Sequence, residues 1–294
     1  MDSDALFVTW TMDCETIAQE SPTGGPLDWE LSERAMRGYV EALADRGHRA
    51  TLFLIPRLAE VQAELLVELR GAGAELGMHM HPQTADLGHD NYLGEVSAHE
   101  QRRILRDGRD RIQAAVGEPP VSFRPGNFSA SDDTFGVLVE LGFTQGSVSL
   151  PGRVLPDFAA VWAGAEPLAH WASPSDRLRA GELDFLELPC AVELCEVGGP
   201  GDRPGDVRHL RLEREGFLEW APDLIERHLA RQVETAWWLK SLVVMTHNTR
   251  DYGDSTEPCR RNLEGLADAI ERAADRAGLT VSPATLAEIG ASAR

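Results

Sequence analysis

The chain has 294 residues, and 48 Asp and Glu against 28 Lys and Arg give it a formal charge of −20. That field repels nucleic acid and anionic membrane, so neither is an expected partner. A chain of this length buries about three quarters of its unfolded surface, which allows one large barrel or α/β domain as readily as two smaller ones.

The first half alternates short apolar strands with amphipathic helices. Leu6–Met12 predicts a strand, and Leu31–Arg46 a helix opened by Ser32 and stopped at Gly47. Ala50–Ile55 predicts a strand closed by Pro56, and Leu58–Gly71 a helix. Glu75–Met80 is the next strand, running into His81-Pro82; Ser97–Val116 is a long helix, and Val121–Arg124 a strand. Asp132–Leu141 predicts a helix closed by Gly142, followed by an extended segment at Phe143–Ser149. From Pro151 to Gly205 the pattern loosens into loops, with one strand near Leu183–Pro189. Regularity returns with a helix at Phe217–Trp238, a strand at Ser241–Thr246, a helix at Asn262–Gly278 and a short strand at Thr280–Val281. Such alternation predicts a parallel sheet with helical crossovers, either a closed barrel or an open doubly wound sheet. With no repeat and no long linker, residues 1–294 are expected to form one domain with an elaborated, loop-rich middle.

No apolar run reaches the ~20 residues that span a bilayer, and the start shows no secretory pattern. Cys14, Cys190, Cys195 and Cys259 lack CxxC spacing, so reduced thiols and a cytoplasmic setting are expected.

In parallel α/β proteins chemistry gathers at the carboxyl ends of the strands. Here strand one ends in "TMDCE", where Asp13 and Glu15 share a face and Cys14 points the other way. The third strand ends in "GMHMHP" with His79 and His81 two apart, the fourth in "FRPGN" with Arg124, and a late strand in "VVMTHNT" with His247. A lone strand-end histidine is more often a hydrogen-bonded structural residue than a ligand, and Asp13 alone has the makings of a cap. Recurrence at one topological end moves the balance. His89 and His170 are loop histidines able to line a cleft, whereas His48, His99, His209 and His228 sit in polar contexts and are expected to be solvated. Two imidazoles and a carboxylate suit Zn²⁺, Co²⁺, Ni²⁺ or Fe²⁺. A second carboxylate to take a proton, an arginine to hold it ionised and a histidine to protonate a leaving amine complete the parts for metal-assisted amide or ester hydrolysis.

The order of these motifs resembles the polysaccharide deacetylase superfamily (carbohydrate esterase family four) over roughly residues 5 to 255. "TMDCE", "ELGMHMHP", "SFRPGNFSAS", "LDFLELP" and "VVMTHNT" resemble its five motifs in order. The resemblance implies a distorted (β/α) barrel, usually of seven strands, a divalent metal with Zn first, and removal of an N-acyl group, commonly N-acetyl from an amino sugar. It implies Asp13 as base, Arg124 as its partner, His247 as acid and His79 as a ligand, with Pro125, Gly126 and Asn127 lining the substrate site. The family's common second aspartate is replaced by Cys14; the spacing variant Asp-x-Asp makes Glu15 the preferred ligand. The usual second histidine position is Gln83, so His81 is assigned by face geometry. Asp184 stands where the fourth motif's aspartate is expected. The function expected is deacylation of a small molecule. The alternatives are hydrolysis of another linear or cyclic amide, as in the allantoinase-like branch, and a barrel that only binds ligand.

Overall fold

In the computed structural model, residues 4–21, 24–84, 86–197 and 203–294 are described. Strand β1 (Ala5–Cys14) is buried along almost its whole length, because the sheet it belongs to is covered on both faces. It pairs in parallel with β2 (Ala50–Leu54), and the ladder continues through β3 (Glu75–Met80), β4 (Ser122–Pro125) and β5 (Gln145–Gly146). A hairpin, β6 (Val154–Leu155) with β7 (Ala160–Val161), and β8 (His170–Trp171) precede β9 (Leu186–Glu187), which joins β5 in parallel. The antiparallel pair β10 (Val192–Val197) and β11 (Val207–His209) leads on to β12 (Ser241–His247), which flanks β1 on the other side. The parallel path is thus β12-β1-β2-β3-β4-β5-β9, with β8 antiparallel on β9 and β13 (Thr280–Pro283) beside the start of β1.

This is the distorted barrel that the motifs imply, curled rather than doubly wound. Its seam, between β9 and β12, is spanned by single backbone bonds instead of a ladder. Ala191 donates to Val243, Leu210 to Ala191, and Met245 to Leu210. Helices α1 (Trp29–Ala44), α2 (Pro56–Val61), α3 (Ala63–Gly71), α4 (Ala98–Val116), α5 (Thr134–Glu140), α6 (Phe217–Glu234), α7 (Pro258–Ala277) and α8 (Leu286–Ala293) complete the layers. None of them is long and apolar enough to cross a membrane.

Several boundaries differ from the expectation. Asp28, not Ser32, caps α1, accepting from the Leu31 N–H at 2.7 Å; Ser32 is buried instead, its hydroxyl on Gln62 at 2.8 Å. The single helix expected over Leu58–Gly71 is two, broken at Gln62 (φ −113°, ψ 30°), whose amide bonds Ser32 and the Trp29 carbonyl. α6 stops at Glu234 because Thr235 folds its hydroxyl back on the Arg231 carbonyl and Ala236 turns left-handed (φ 48°). The ladders of β5 and β9 are only two residues long. The loop-rich middle does carry order: β6, β7, β8 and β10 lie there, and its residues Arg153, Leu155, Phe158 and Arg203 help roof the carboxyl ends of the barrel strands.

Candidate active site

The strand ends meet in a cavity of about 630 Å³, into which Asp13, Glu15, His79, His81, Asn127, Glu213 and His247 project. Parallel pairing in register produces this: Asp13 lies opposite His247 across β1 and β12, and His79 opposite Arg124 across β3 and β4. Cys14 is absent from the cavity lining; its buried thiol donates to the Met12 carbonyl at 3.6 Å. Burial pushes that thiol well up, and the flanking Asp13 and Glu15 carboxylates push it further.

Asp13 and Arg124 form a buried ion pair, Oδ1 to Nη1 at 2.7 Å, with Arg124 itself fully buried. The guanidinium is aimed by every neighbour it has. Nη1 also donates to Thr11 Oγ1 at 2.8 Å, Nε to the Ser147 carbonyl at 3.4 Å, and the Phe53 ring lies 4.5 Å below. Burial drives the Asp13 carboxyl upward, but Arg124, His79 and His247 outweigh it, and the group is held below its usual value. The second Asp13 oxygen lies 3.9 Å from His79 Nε2 and 4.0 Å from His247 Nε2.

Glu15 Oε1 lies 3.0 Å from His81 Nε2 and 3.3 Å from His79 Nε2. Asn248 fixes the backbone of Glu15 from both sides, accepting from its N–H and donating to its carbonyl, each at 2.9 Å. His79 Nδ1 donates to the Arg124 carbonyl at 3.0 Å, which turns Nε2 toward the Glu15 carboxylate; burial pulls the imidazole down, but the Asp13 and Glu15 carboxylates outweigh it and raise the ring above its ordinary value. A divalent cation there would take the place of the proton that otherwise bridges ring and carboxylate. Three donor atoms about 2.1 Å from a tetrahedral ion sit roughly 3.4 Å from one another. The two Glu15–imidazole separations are close to this, and the three donors lie within 4.8 Å of one another. Glu15 Oε2 and His81 Nδ1 are buried without a hydrogen-bond partner. The residues therefore fit a divalent metal. Gln83, at the spacing where a histidine is usual, does not line the cavity.

On the other wall, His247 Nδ1 donates to Glu213 Oε1 at 2.9 Å, and the His247 backbone N–H reaches the same oxygen at 2.6 Å. Burial raises Glu213, but His247 and Arg211 overcome it and hold the carboxyl far below its usual range. Sequence reasoning did not single out Glu213, which arrives on the seam segment through the bridge of Arg211 to Met245. Tyr92, Phe128 and Phe158 also line the cavity and were not foreseen.

The expected fourth-motif residue, Asp184, is not here. Its side chain is 74% exposed and pairs with Arg294 at 3.1 Å, because it lies at the start of the β9 segment and not at its carboxyl end. The same motif supplies Glu187 instead, fully buried and accepting from the N–H groups of Val148 and Ser149 and from the Ser149 hydroxyl; burial lifts its carboxyl to about 7. Of Pro125, Gly126 and Asn127, only Asn127 lines the cavity. Pro125 and Gly126 are buried behind it, and Gly126 packs so closely on the His81 ring that a Cβ would collide with it. Asn127 and Phe128 both hold positive φ (56° and 58°), a turn that brings the Asn127 side chain to the cavity. His48, His209 and His228, expected in solvent, are buried; the ring nitrogens of His209 and His228 bond the carbonyls of Val207 and Ser241, and the His48 ring packs edge-on against Trp10. Neither His89 nor His170 lines the cavity.

Residues 26–146 match the family model of polysaccharide deacetylases, a span that includes His79, His81 and Arg124. No curated protein matches the chain. Among solved structures it is similar to a putative polysaccharide deacetylase from Mycobacterium smegmatis (16% identity, 99% of this chain and 91% of that one, TM-score 0.57). It is similar as well to a probable polysaccharide deacetylase from Pseudomonas aeruginosa PAO1 (14%, 97% and 90%, TM-score 0.57). A third likeness is to Puue allantoinase (13%, 99% and 90%, TM-score 0.59). At these identities the solved structures establish the fold, and the family match bears out the superfamily resemblance read from the motifs.

Proposed function

Given a chain that carries the polysaccharide deacetylase family match over residues 26–146, we propose a metal-dependent hydrolase that removes an N-acyl group, N-acetyl first, from an amino-sugar-like small molecule or biosynthetic intermediate. The observation that carries this is the pairing of two clusters around one cavity: Glu15, His79 and His81 on one side, and Asp13 with Arg124 and His247 with Glu213 on the other. Glu15, His79 and His81 would hold the ion. A divalent ion there lowers the pKa of water and polarises the acyl carbonyl. Asp13, kept ionised by Arg124, takes a proton from the attacking water through the oxygen that faces His79 and His247. His247, its Nδ1–H tied to Glu213, presents Nε2 to the same space and protonates the leaving amine. The cytoplasmic setting belongs to this proposal and rests on the sequence alone.

A second reading, hydrolysis of a linear or cyclic amide, has the allantoinase fold likeness on its side and would use the same residues. One assay separates the readings. Protein purified without an affinity tag and loaded with Zn²⁺ or Co²⁺ is offered N-acetyl and N-formyl amino sugars and cyclic ureides, and amine or ring-opened product is measured. Turnover of the acylated sugars alone is expected. Turnover of ureides alone selects the second reading, and sub-stoichiometric metal that neither ion restores selects a barrel that only binds. Asp13→Asn should lower kcat by about 10³-fold or more with metal content unchanged. Loss of metal in that variant would exchange the roles of Asp13 and Glu15.

A further inference from the structure

Four arginines line the cavity of this strongly acidic protein: Arg153, Arg203, Arg211 and Arg214. Two of them are engaged with Asp206. Arg153 binds it through Nε at 2.9 Å and Nη2 at 2.8 Å and gives Nη1 to the Asn127 carbonyl, and Arg214 binds the other Asp206 oxygen at 3.1 Å. These two brace the cavity wall. The other two are placed differently. Arg211 offers only Nε, at 3.3 Å, to Glu213, and its side chain is 35% exposed, so both Nη groups retain donors for a ligand. Arg203 lies 4.9 Å from the centre of the Phe158 ring and makes no ion pair among the described residues. Phe158 in turn packs edge-on against Tyr92 at 5.2 Å, so Arg203 sits beside an aromatic wall.

Resting on the hydrolase reading above, we propose that the end of the substrate remote from the scissile amide carries an anionic group, a carboxylate or a phosphate, received by Arg203 and Arg211. A neutral sugar needs hydrogen-bond donors but no guanidinium charge, and among the described residues neither Arg203 nor Arg211 is clamped by a carboxylate as Arg37 is by Glu68 or Arg111 by Glu60. The overall charge of −20 does not override this recognition. At physiological ionic strength charges beyond about 8 Å are screened, whereas a planar guanidinium inside the cavity meets a carboxylate or phosphate in two parallel hydrogen bonds.

Two measurements test the proposal. Calorimetric binding of inorganic phosphate to zinc-loaded protein should weaken at least 5-fold in Arg203→Gln and recover most of its strength in Arg203→Lys, with metal content equal in all three. Equal affinity in wild type and Arg203→Gln overturns it. In parallel, amine release is compared for N-acetylglucosamine, its 6-phosphate and N-acetylmuramic acid. A kcat/KM at least 10-fold higher for one of the charged compounds, lost in Arg203→Gln through KM, is expected, and which compound gains distinguishes phosphate from carboxylate. Equal kcat/KM for the neutral sugar rejects the anionic substrate while leaving the hydrolase intact. No turnover of any of the three counts against the hydrolase reading, and the phosphate titration then decides the anion site by itself.

Discussion

Glu213 is the side chain on which the proposed role of His247 turns. It takes two hydrogen bonds from His247, one from the ring and one from the backbone, and is held ionised by that ring and by Arg211 in spite of burial. A carboxylate in that place stabilises the imidazolium that must exist before a proton is given away. Glu213→Gln keeps the shape and removes the charge. We expect kcat to fall by about 10²-fold with metal content and fold unchanged; steady-state kinetics with elemental analysis check this, and an unaltered kcat would show that His247 acts without the carboxylate. Asp13, Glu15, His79, His81, Arg124 and His247 were legible because each ends an apolar strand, and strand ends of a parallel sheet converge. Glu213 was not, since it follows no periodic segment and reaches the site through a seam contact between distant parts of the chain. Asp184 misled for the opposite reason: a carboxylate at the right place in a motif lies at the wrong end of its strand.

At the scale of elements, α6 is fastened to β12 by polar groups that the sequence makes look solvated. Gln232 and His228 both bond the Ser241 carbonyl, at 3.1 and 3.3 Å, and Gln232 also accepts from the Ser241 N–H at 2.7 Å. Burial lowers the His228 imidazole to about 4, against an ordinary value of 6.5. The folded state thus binds this proton less readily than the unfolded chain does, so its contribution is complete above pH 6.5 and is lost as pH falls toward 4. The shift corresponds to a cost on the order of 3 kcal/mol at the acid end. Urea unfolding from pH 7 to pH 4 should show stability falling more steeply in wild type than in His228→Gln, by close to one proton, and parallel curves would place the charge in solvent after all. The polar helix face around His228 gave no sign of burial because the partner is a strand edge, and a carbonyl leaves no mark on the pattern of side chains. Long, strongly patterned elements such as α4, with its Ser97 cap, were legible, whereas the break at Gln62 depends on tertiary bonds to Trp29 and Ser32.

Over the whole molecule, the parallel path from β12 through β1 to β9 follows from strand and helix alternation, and seven strands run in one direction along it. What alternation does not specify is the seam, where single hydrogen bonds through Ala191 and Leu210 replace a ladder and the irregular middle roofs the cavity. The proposed metal ties two neighbouring regions of this ring together, because Glu15 follows β1 while His79 and His81 lie at the end of β3. An ion that binds the folded chain alone stabilises it by mass action, about 4 kcal/mol at a thousandfold excess over Kd. For a chain of this size that raises Tm by several degrees, on the order of 5–10 °C. Calorimetric scans of chelator-treated protein with and without added Zn²⁺ should show such a rise in wild type and in Asp13→Asn, and little or none in Glu15→Gln or His81→Ala. A rise that survives loss of Glu15 but disappears in Cys14→Ala would transfer the ligand to the thiol, against its orientation toward Met12. No rise in wild type would leave the buried Glu15 Oε2 without a role and turn the proposal toward a barrel that binds ligand without metal chemistry.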